Sequence, residues 1–306
     1  MPPIKVNRTV SINAPKEDVA KALSDFHTWK NWSPWLIMDP DAKVDVEPDG
    51  KAYKWEGKRV GSGAMKIDKE DGSDAVYCDL QFIKPFKSKA KTSFKLEQNG
   101  DSTNVTWFMD SNLPFFMFFM KKSMEAYIGN DYERGLNLLK DYVEDGEAHS
   151  KLNWIGESSI EGGKYVGITR ECTTKTISKE MPKDFHKIQE IANRVGADMN
   201  KVFSQYHKFD MVSGKAKYTV GLPVSEYPSD LDADMIKGEM PATKTYVLEH
   251  KGPYRHIGNA WATMSNMARS KEFKAIKKIA PFETYGNSPA NTPENDLITH
   301  LHFAVK

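Results

Sequence analysis

Cysteine is scarce in this chain: among 306 residues only Cys78 and Cys172 occur. Two cysteines expected in different domains do not make a disulfide framework, so a reducing, cytoplasmic setting is the expectation. Long apolar runs are scarce too. The strongest is Leu-Pro-Phe-Phe-Met-Phe-Phe-Met at 113–120, stopped by Lys121-Lys122. A membrane span needs about 20 such residues, so this run reads as a core or pocket-lid segment at a helix entrance and no membrane role is expected. The start, Met1-Pro2-Pro3-Ile4-Lys5, has no charged segment leading into an apolar one, so no signal peptide is expected. An excess of one charge is also missing, with 43 Lys and Arg against 42 Asp and Glu. Nucleic-acid surfaces need a basic stripe, so no direct nucleic-acid contact is expected. Gly-x-Ser-x-Gly, His-Glu-x-x-His and a phosphate loop do not occur. His300 and His302 share a strand face, but no third metal ligand is fixed by spacing. No metal or cofactor is expected.

What is present suggests two domains, the usual division for this length. Residues 6–12 alternate and are rich in β-branched types, as in a strand. A helical spacing follows from Glu17 to Phe26. Trp29, Trp32 and Trp35 then crowd around Pro34, as in a folded loop pinned by aromatics or the wall of a pocket. Six strands are expected at 43–46, 52–55, 61–66, 75–82, 89–98 and 104–110. They are separated by Asp49-Gly50, Gly61-Ser62-Gly63, Asp71-Gly72 and Asn99-Gly100, which suit tight hairpins because glycine accepts positive φ. An amphipathic helix over 116–143 closes the unit, with Tyr132, Leu136, Leu139 and Val143 on one face.

Trp32-Ser33-Pro34-Trp35, Tyr53-Lys54-Trp55-Glu56-Gly57, Val60-Gly61-Ser62-Gly63, Asn104-Val105-Thr106-Trp107 and Gly135-Leu136-Asn137-Leu138-Leu139-Lys140 make residues 4–145 similar to the START/polyketide-cyclase (SRPBCC) superfamily. The resemblance implies an α+β helix-grip domain over 1–146: an antiparallel sheet wrapped around a long C-terminal helix, with an apolar cavity between. Members bind lipids, polyketides or other apolar ligands. Trp35, Trp55, Trp107 and Phe119 are the candidates to line such a cavity, and plain core is an equal reading for the last three.

Polar residues from Glu144 onward break the helical pattern, and 147–159 is expected as a linker. A strand at 165–173, a helix at 182–195 and strands at 201–209 and 216–224 follow. The order then repeats: strand 243–250, helix 257–269, strands 280–285 and 297–305. The repeat is marked by Phe203-Ser204-Gln205-Tyr206 and Phe282-Glu283-Thr284-Tyr285, with Glu in the second copy where the first has Ser. Two βαββ units pairing into one sheet, with both helices on one side, would leave a cleft at the join.

Glu249-His250-Lys251-Gly252-Pro253-Tyr254, Phe282-Glu283-Thr284-Tyr285, Ser288-Pro289 and the closing strand resemble the GyrI-like, or AraC-type, effector-binding domain over 160–306. That resemblance implies a duplicated βαββ domain that binds drug-like molecules, often cationic and aromatic. Carried over, Glu283 is the acid, Tyr285 its neighbour, and Tyr206, Trp261 and Tyr254 the aromatics. The last strand reads Thr299-His300-Leu301-His302, where the family often has an acid near His300. His300 is therefore included as a candidate ligand contact. The expected function is binding a small hydrophobic or cationic aromatic ligand, for sensing, sequestration or resistance, with a separate regulator protein as a conceivable partner. The alternative is a hydrolase of small electrophiles, with Glu283 as general base and Tyr285 assisting.

Overall fold

The computed structural model describes residues 3–113 and 115–306. The chain is α+β and divides into two units, Met1–Ser150 and Lys151–Lys306, each built on an antiparallel sheet.

The first unit begins with β1 (Pro3–Ile12), α1 (Lys16–Leu23), α2 (Phe26–Trp29) and α3 (Pro34–Met38). The single helix expected from Glu17 to Phe26 is interrupted, because the Asp25 side chain accepts from the His27 N–H and starts a new turn. Ser33 caps α3 in the same way and Pro34 takes its first position, so the tryptophan segment is a turn at 30–33, with Trp32 buried, between two short helices. The sheet continues with β2 (Lys43–Val46), β3 (Ala52–Gly57), β4 (Gly61–Asp71), β5 (Ala75–Lys84), β6 (Ser88–Asn99) and β7 (Ser102–Asn112). Its spatial order is β1-β7-β6-β5-β4-β3-β2, with neighbouring strands antiparallel. Gly50, Gly72 and Gly100 hold φ of +70°, +54° and +59° at the turns, which is what those glycines supply.

A 3-10 turn (Phe115–Met120) leads into the long helix α4 (Lys121–Asp145). The helix ends at Gly146, left-handed at φ 83°, whose N–H returns to the Tyr142 carbonyl. Tyr132, Leu136 and Leu139 are buried, as the periodicity predicts. The apolar run ahead of the helix divides: Leu113 is buried and Met117 packs against the core, as expected, but its far end does not. Phe118 and Phe119 are 61% and 70% exposed, so they are neither core nor a closed lid.

The second unit runs β8 (Lys151–Ile160), β9 (Gly163–Thr173), α5 (Ile177–Val195), β10 (Phe203–Asp210), β11 (Lys215–Pro223), β12 (Ile236–Met240), β13 (Thr243–Lys251), α6 (Ile257–Arg269), β14 (Phe282–Tyr285) and β15 (Ile298–Val305). Its sheet order is β12-β9-β11-β10-β14-β15-β13-β8. The expected linker over 147–159 is overturned, since most of it is β8, paired along its length with β13.

The corners of this sheet are informative. Only Glu161-Gly162 separates β8 from β9, and only Pro241-Ala242 separates β12 from β13. Ile160 pairs with Thr243 and Gly163 with Met240, so one antiparallel ladder runs through both corners without a slip. Gly162 makes the crossing feasible. Its φ is +73°, and a Cβ there would lie 2.3 Å from the Met240 carbonyl oxygen.

Helices α5 and α6 pack on the sheet through separate apolar clusters. Ile188, Ile191 and Ala192 meet Val166, Tyr218 and Val220, while Ala260, Met264 and Met267 meet Leu248 and Leu301. Asp184 of α5 is 1% exposed and accepts from the Arg170 guanidinium and from the Tyr218 hydroxyl. His250 is fully buried beside His256, and burial first, then that neighbour, pushes it down to about 3.

Candidate functional site

The two Phe-x-x-Tyr segments form the central strands of the second sheet. β10 and β14 are neighbours, with Phe203 opposite Thr284, Ser204 opposite Glu283 and Gln205 opposite Phe282. Alternation then puts Ser204, Tyr206, Glu283 and Tyr285 on one sheet face. The second-position residues of the two segments are thus direct cross-strand partners. Such pairs lie about 5 Å apart, so a carboxylate at both positions would repel, whereas serine beside glutamate does not.

Glu283 is 4% exposed. Three donors meet its two oxygens. Trp261 Nε1 donates to Oε1 at 2.5 Å, and the Tyr206 and Tyr285 hydroxyls donate to Oε2 at 2.9 Å and 3.1 Å. Tyr285 has one hydroxyl proton and Ser204 Oγ lies 2.8 Å from its oxygen. With that proton on Glu283, Ser204 supplies its own to Tyr285. Burial raises the proton affinity of Glu283 above the usual carboxylate range, and the three donors pull against it. The same burial, reinforced by the Glu283 charge, holds the Tyr206 and Tyr285 hydroxyls protonated far above neutrality.

Aromatic rings surround the carboxylate. Trp261, brought down by α6, meets Tyr206 edge-on at 4.9 Å between centroids. Tyr254, on the turn ahead of α6, stands at 6.1 Å from Tyr285 and is 40% exposed. Its hydroxyl is pushed up to about 12, by burial and then by Glu283. Of the second-unit candidates, Glu283, Tyr285, Tyr206, Trp261 and Tyr254 are therefore together. Ser204, Phe185 and Met181 were not foreseen. Phe185 of α5 lies edge-on to Tyr285 at 5.4 Å, and Met181 Sδ is 3.8 Å from the Tyr206 hydroxyl. The comparison of Ser204 with Glu283 was the one available signal for the first; nothing in α5 alone distinguished the others from ordinary helix positions.

His300 is not brought to Glu283. β15 pairs with β14 so that Leu301 stands opposite Glu283 and His300 opposite Thr284, which places His300 on the other face. There its Nε2 is 3.1 Å from Glu249. His302 shares that face, stacked on Phe282 at 4.6 Å and 3.0 Å from the Thr284 hydroxyl. Among the described residues no group of His, Cys, Asp and Glu is arranged to hold a metal ion.

The first-unit candidates do not line one cavity. Trp107 is 1% exposed, stacked on Tyr132 at 4.0 Å and packed against Phe94 at 4.7 Å, so it is core. Trp35 meets Trp107 edge-on at 5.8 Å and donates to Asp131. Trp55 lies against Tyr53 and Phe82, donating to the Val60 carbonyl. Phe119 points to solvent. A groove of about 630 Å³, lined in part by Lys5, Tyr77, Lys91, Ser93, Phe108 and Asp110, opens on the other face of this sheet from the aromatic cluster.

Each unit matches one family model. Residues 3–144 match the model of the polyketide cyclase / dehydrase and lipid transport family. Residues 160–306 match the GyrI-like small molecule binding domain. Both halves thus match the families that their motifs resemble. No curated protein matches the chain. Among solved structures, the EcmrR C-terminal domain is 15% identical with a TM-score of 0.42, covering 51% of this chain and 98% of that one. SAV2435 bound to tetraphenylphosphonium is 15% identical with a TM-score of 0.38, covering 49% and 92%. The Aha1 dimer from Colwellia psychrerythraea is 23% identical with a TM-score of 0.34, covering 47% and 98%. No helix among the described residues is long and apolar enough to cross a membrane.

Proposed function

We propose that this chain binds small cationic aromatic molecules at Glu283, in a domain made of two βαββ copies joined at the β10–β14 seam. The observation that carries the reading is a buried carboxylate ringed by Tyr206, Tyr285, Trp261 and Tyr254. Burial of a charge is costly unless it is paired. The three donors satisfy Glu283 on their own, and an organic cation completes its neutralisation. Each aromatic face adds about 0.5–2 kcal/mol to a desolvated cation. Tyr254, the most exposed of the rings, is the natural entrance contact.

The first unit is proposed as a helix-grip domain whose interior is filled by its own aromatic side chains. Its role would be separate from the cation site. The whole chain would serve in sensing or sequestering such compounds.

Isothermal titration with tetraphenylphosphonium, beside a neutral aromatic compound of similar size, tests the reading. Binding of the cation alone, growing stronger as pH rises through the Glu283 titration, is the expected result. Equal binding of the neutral compound would remove the basis for it.

The hydrolase alternative has one observation in its favour, the raised proton affinity of Glu283 beside the Tyr285 hydroxyl. Product analysis with small electrophilic substrates separates it. Turnover abolished by Glu283→Gln would support catalysis over simple binding.

A further inference from the structure

We propose that one rim of the first unit, carrying Phe86, Phe118 and Phe119, docks on an anionic lipid surface. The rim is defined by strand register. β5 and β6 are joined by the turn around Pro85-Phe86, and β6 pairs with β7 up to Ala90 opposite Ser111. The β5–β6 turn and the segment that leaves β7 toward α4 therefore lie at the same end of the sheet. Gly61, at the start of β4, is there too, with its Cβ position 3.5 Å from the Pro85 ring.

This end exposes large apolar side chains. Phe86 is 76% exposed, Phe119 70%, Phe118 61%, Ile83 42% and Met120 37%. Soluble proteins rarely expose so many large apolar groups along one end of a sheet unless that end meets another surface. Charge selects the partner. Lys84, Lys87 and Lys89 flank Phe86, and Lys121 and Lys122 follow Met120. Lys84 pairs with Glu56 and Lys121 with Glu125. Lys87, Lys89 and Lys122 make no ion pair among the described residues and are exposed. A second copy of the chain would bring these like charges face to face. A lipid surface with anionic headgroups accepts both features: rings enter the interface while lysines stay at headgroup level.

The test is co-sedimentation of the full chain with phosphatidylcholine vesicles that contain or lack phosphatidylglycerol. The wild type pellets with the anionic vesicles only, and added salt releases it. Paired Phe118→Ser and Phe119→Ser changes, and separately paired Lys87→Glu and Lys89→Glu changes, each weaken binding roughly tenfold. All four side chains are exposed, so the thermal midpoint stays at the wild-type value. Failure to pellet with anionic vesicles overturns the proposal. So does pelleting that both paired variants leave unchanged. A wild-type dimer in sedimentation equilibrium that the serine pair abolishes, without vesicle binding, assigns the rim to a second copy and overturns it as well.

Discussion

Replacing Glu283 by glutamine removes one charge and almost no volume. The buried geometry sets the outcome. Trp261 Nε1 only donates, so the glutamine oxygen must face it, which turns the amide NH2 toward Tyr206 and Tyr285. Both hydroxyls can rotate to accept, so the substitution leaves no donor stranded. Loss of charge-assisted bonds, worth about 1 kcal/mol more than neutral ones, is offset by relief of a buried charge. Folding stability should therefore change by less than about 1 kcal/mol. Cation affinity should not escape so lightly. A unit charge about 4 Å away at an effective dielectric of about 20 is worth about 4 kcal/mol. Spreading over three hydrogen bonds lowers this to about 2–4 kcal/mol, or a loss of roughly 30- to 1,000-fold. Calorimetry with the aromatic cation reads the affinity, and urea unfolding reads the stability. A variant that holds wild-type affinity within about threefold would refute the electrostatic account.

The remaining expectations concern the same unit. Tyr206→Phe and Tyr285→Phe each remove a donor from the ionised carboxylate, so the pH midpoint of cation binding should rise by up to about one unit. Binding curves at stepped pH check this, and an unmoved midpoint counts against it. Asp184→Ala strips the Tyr218 hydroxyl and the Arg170 guanidinium of their acceptor. Because Arg170 retains access to water, the cost should be about 3 kcal/mol, seen as a lower urea midpoint. His250 is held near 3 in the fold against an ordinary value near 6.5. The stability this gives is fully present above pH 6.5 and falls as pH drops toward 3, by about 1.4 kcal/mol per pH unit. His250→Asn should flatten that slope in urea unfolding measured across the acid range.

Much of the fold was legible because local chemistry and global pattern agreed. Gly50, Gly72 and Gly100 sit in positive-φ turns where their Asp-Gly and Asn-Gly pairs predict hairpins. Tyr132, Leu136 and Leu139 reach the core at helical spacing. β8 was hidden for physical reasons. It is an edge strand, more than half of its positions are exposed, and a bulge near Gly156 breaks its alternation. β12 has five residues and a glycine at 238, where the Tyr165 ring leaves no room for a side chain. At the site, the duplicated Phe-x-x-Tyr motif pointed to the carboxylate and its tyrosines. Misplacing His300 was an error of one residue in register, which moves a side chain to the opposite face and which sequence alone does not fix. Burial depth was equally unreadable: Trp107 and Phe119 both look like pocket residues, yet one is sealed beneath Tyr132 and the other meets water.

The ladder that turns the corner at Gly162 has a consequence for how such a sheet can be built. The leading strand of each proposed copy finds its partner only in the other copy: β8 on β13, and β12 on β9. A solitary βαββ run with its leading strand would leave that strand's hydrogen-bonding groups unmatched. Two separate chains of half the length would satisfy them by exchanging leading strands, as an intertwined pair. The tie between β11 and β12, residues 224–235, turns that exchange into an intramolecular one. Severing the chain in this tie should therefore leave two fragments that fold together far better than either folds alone.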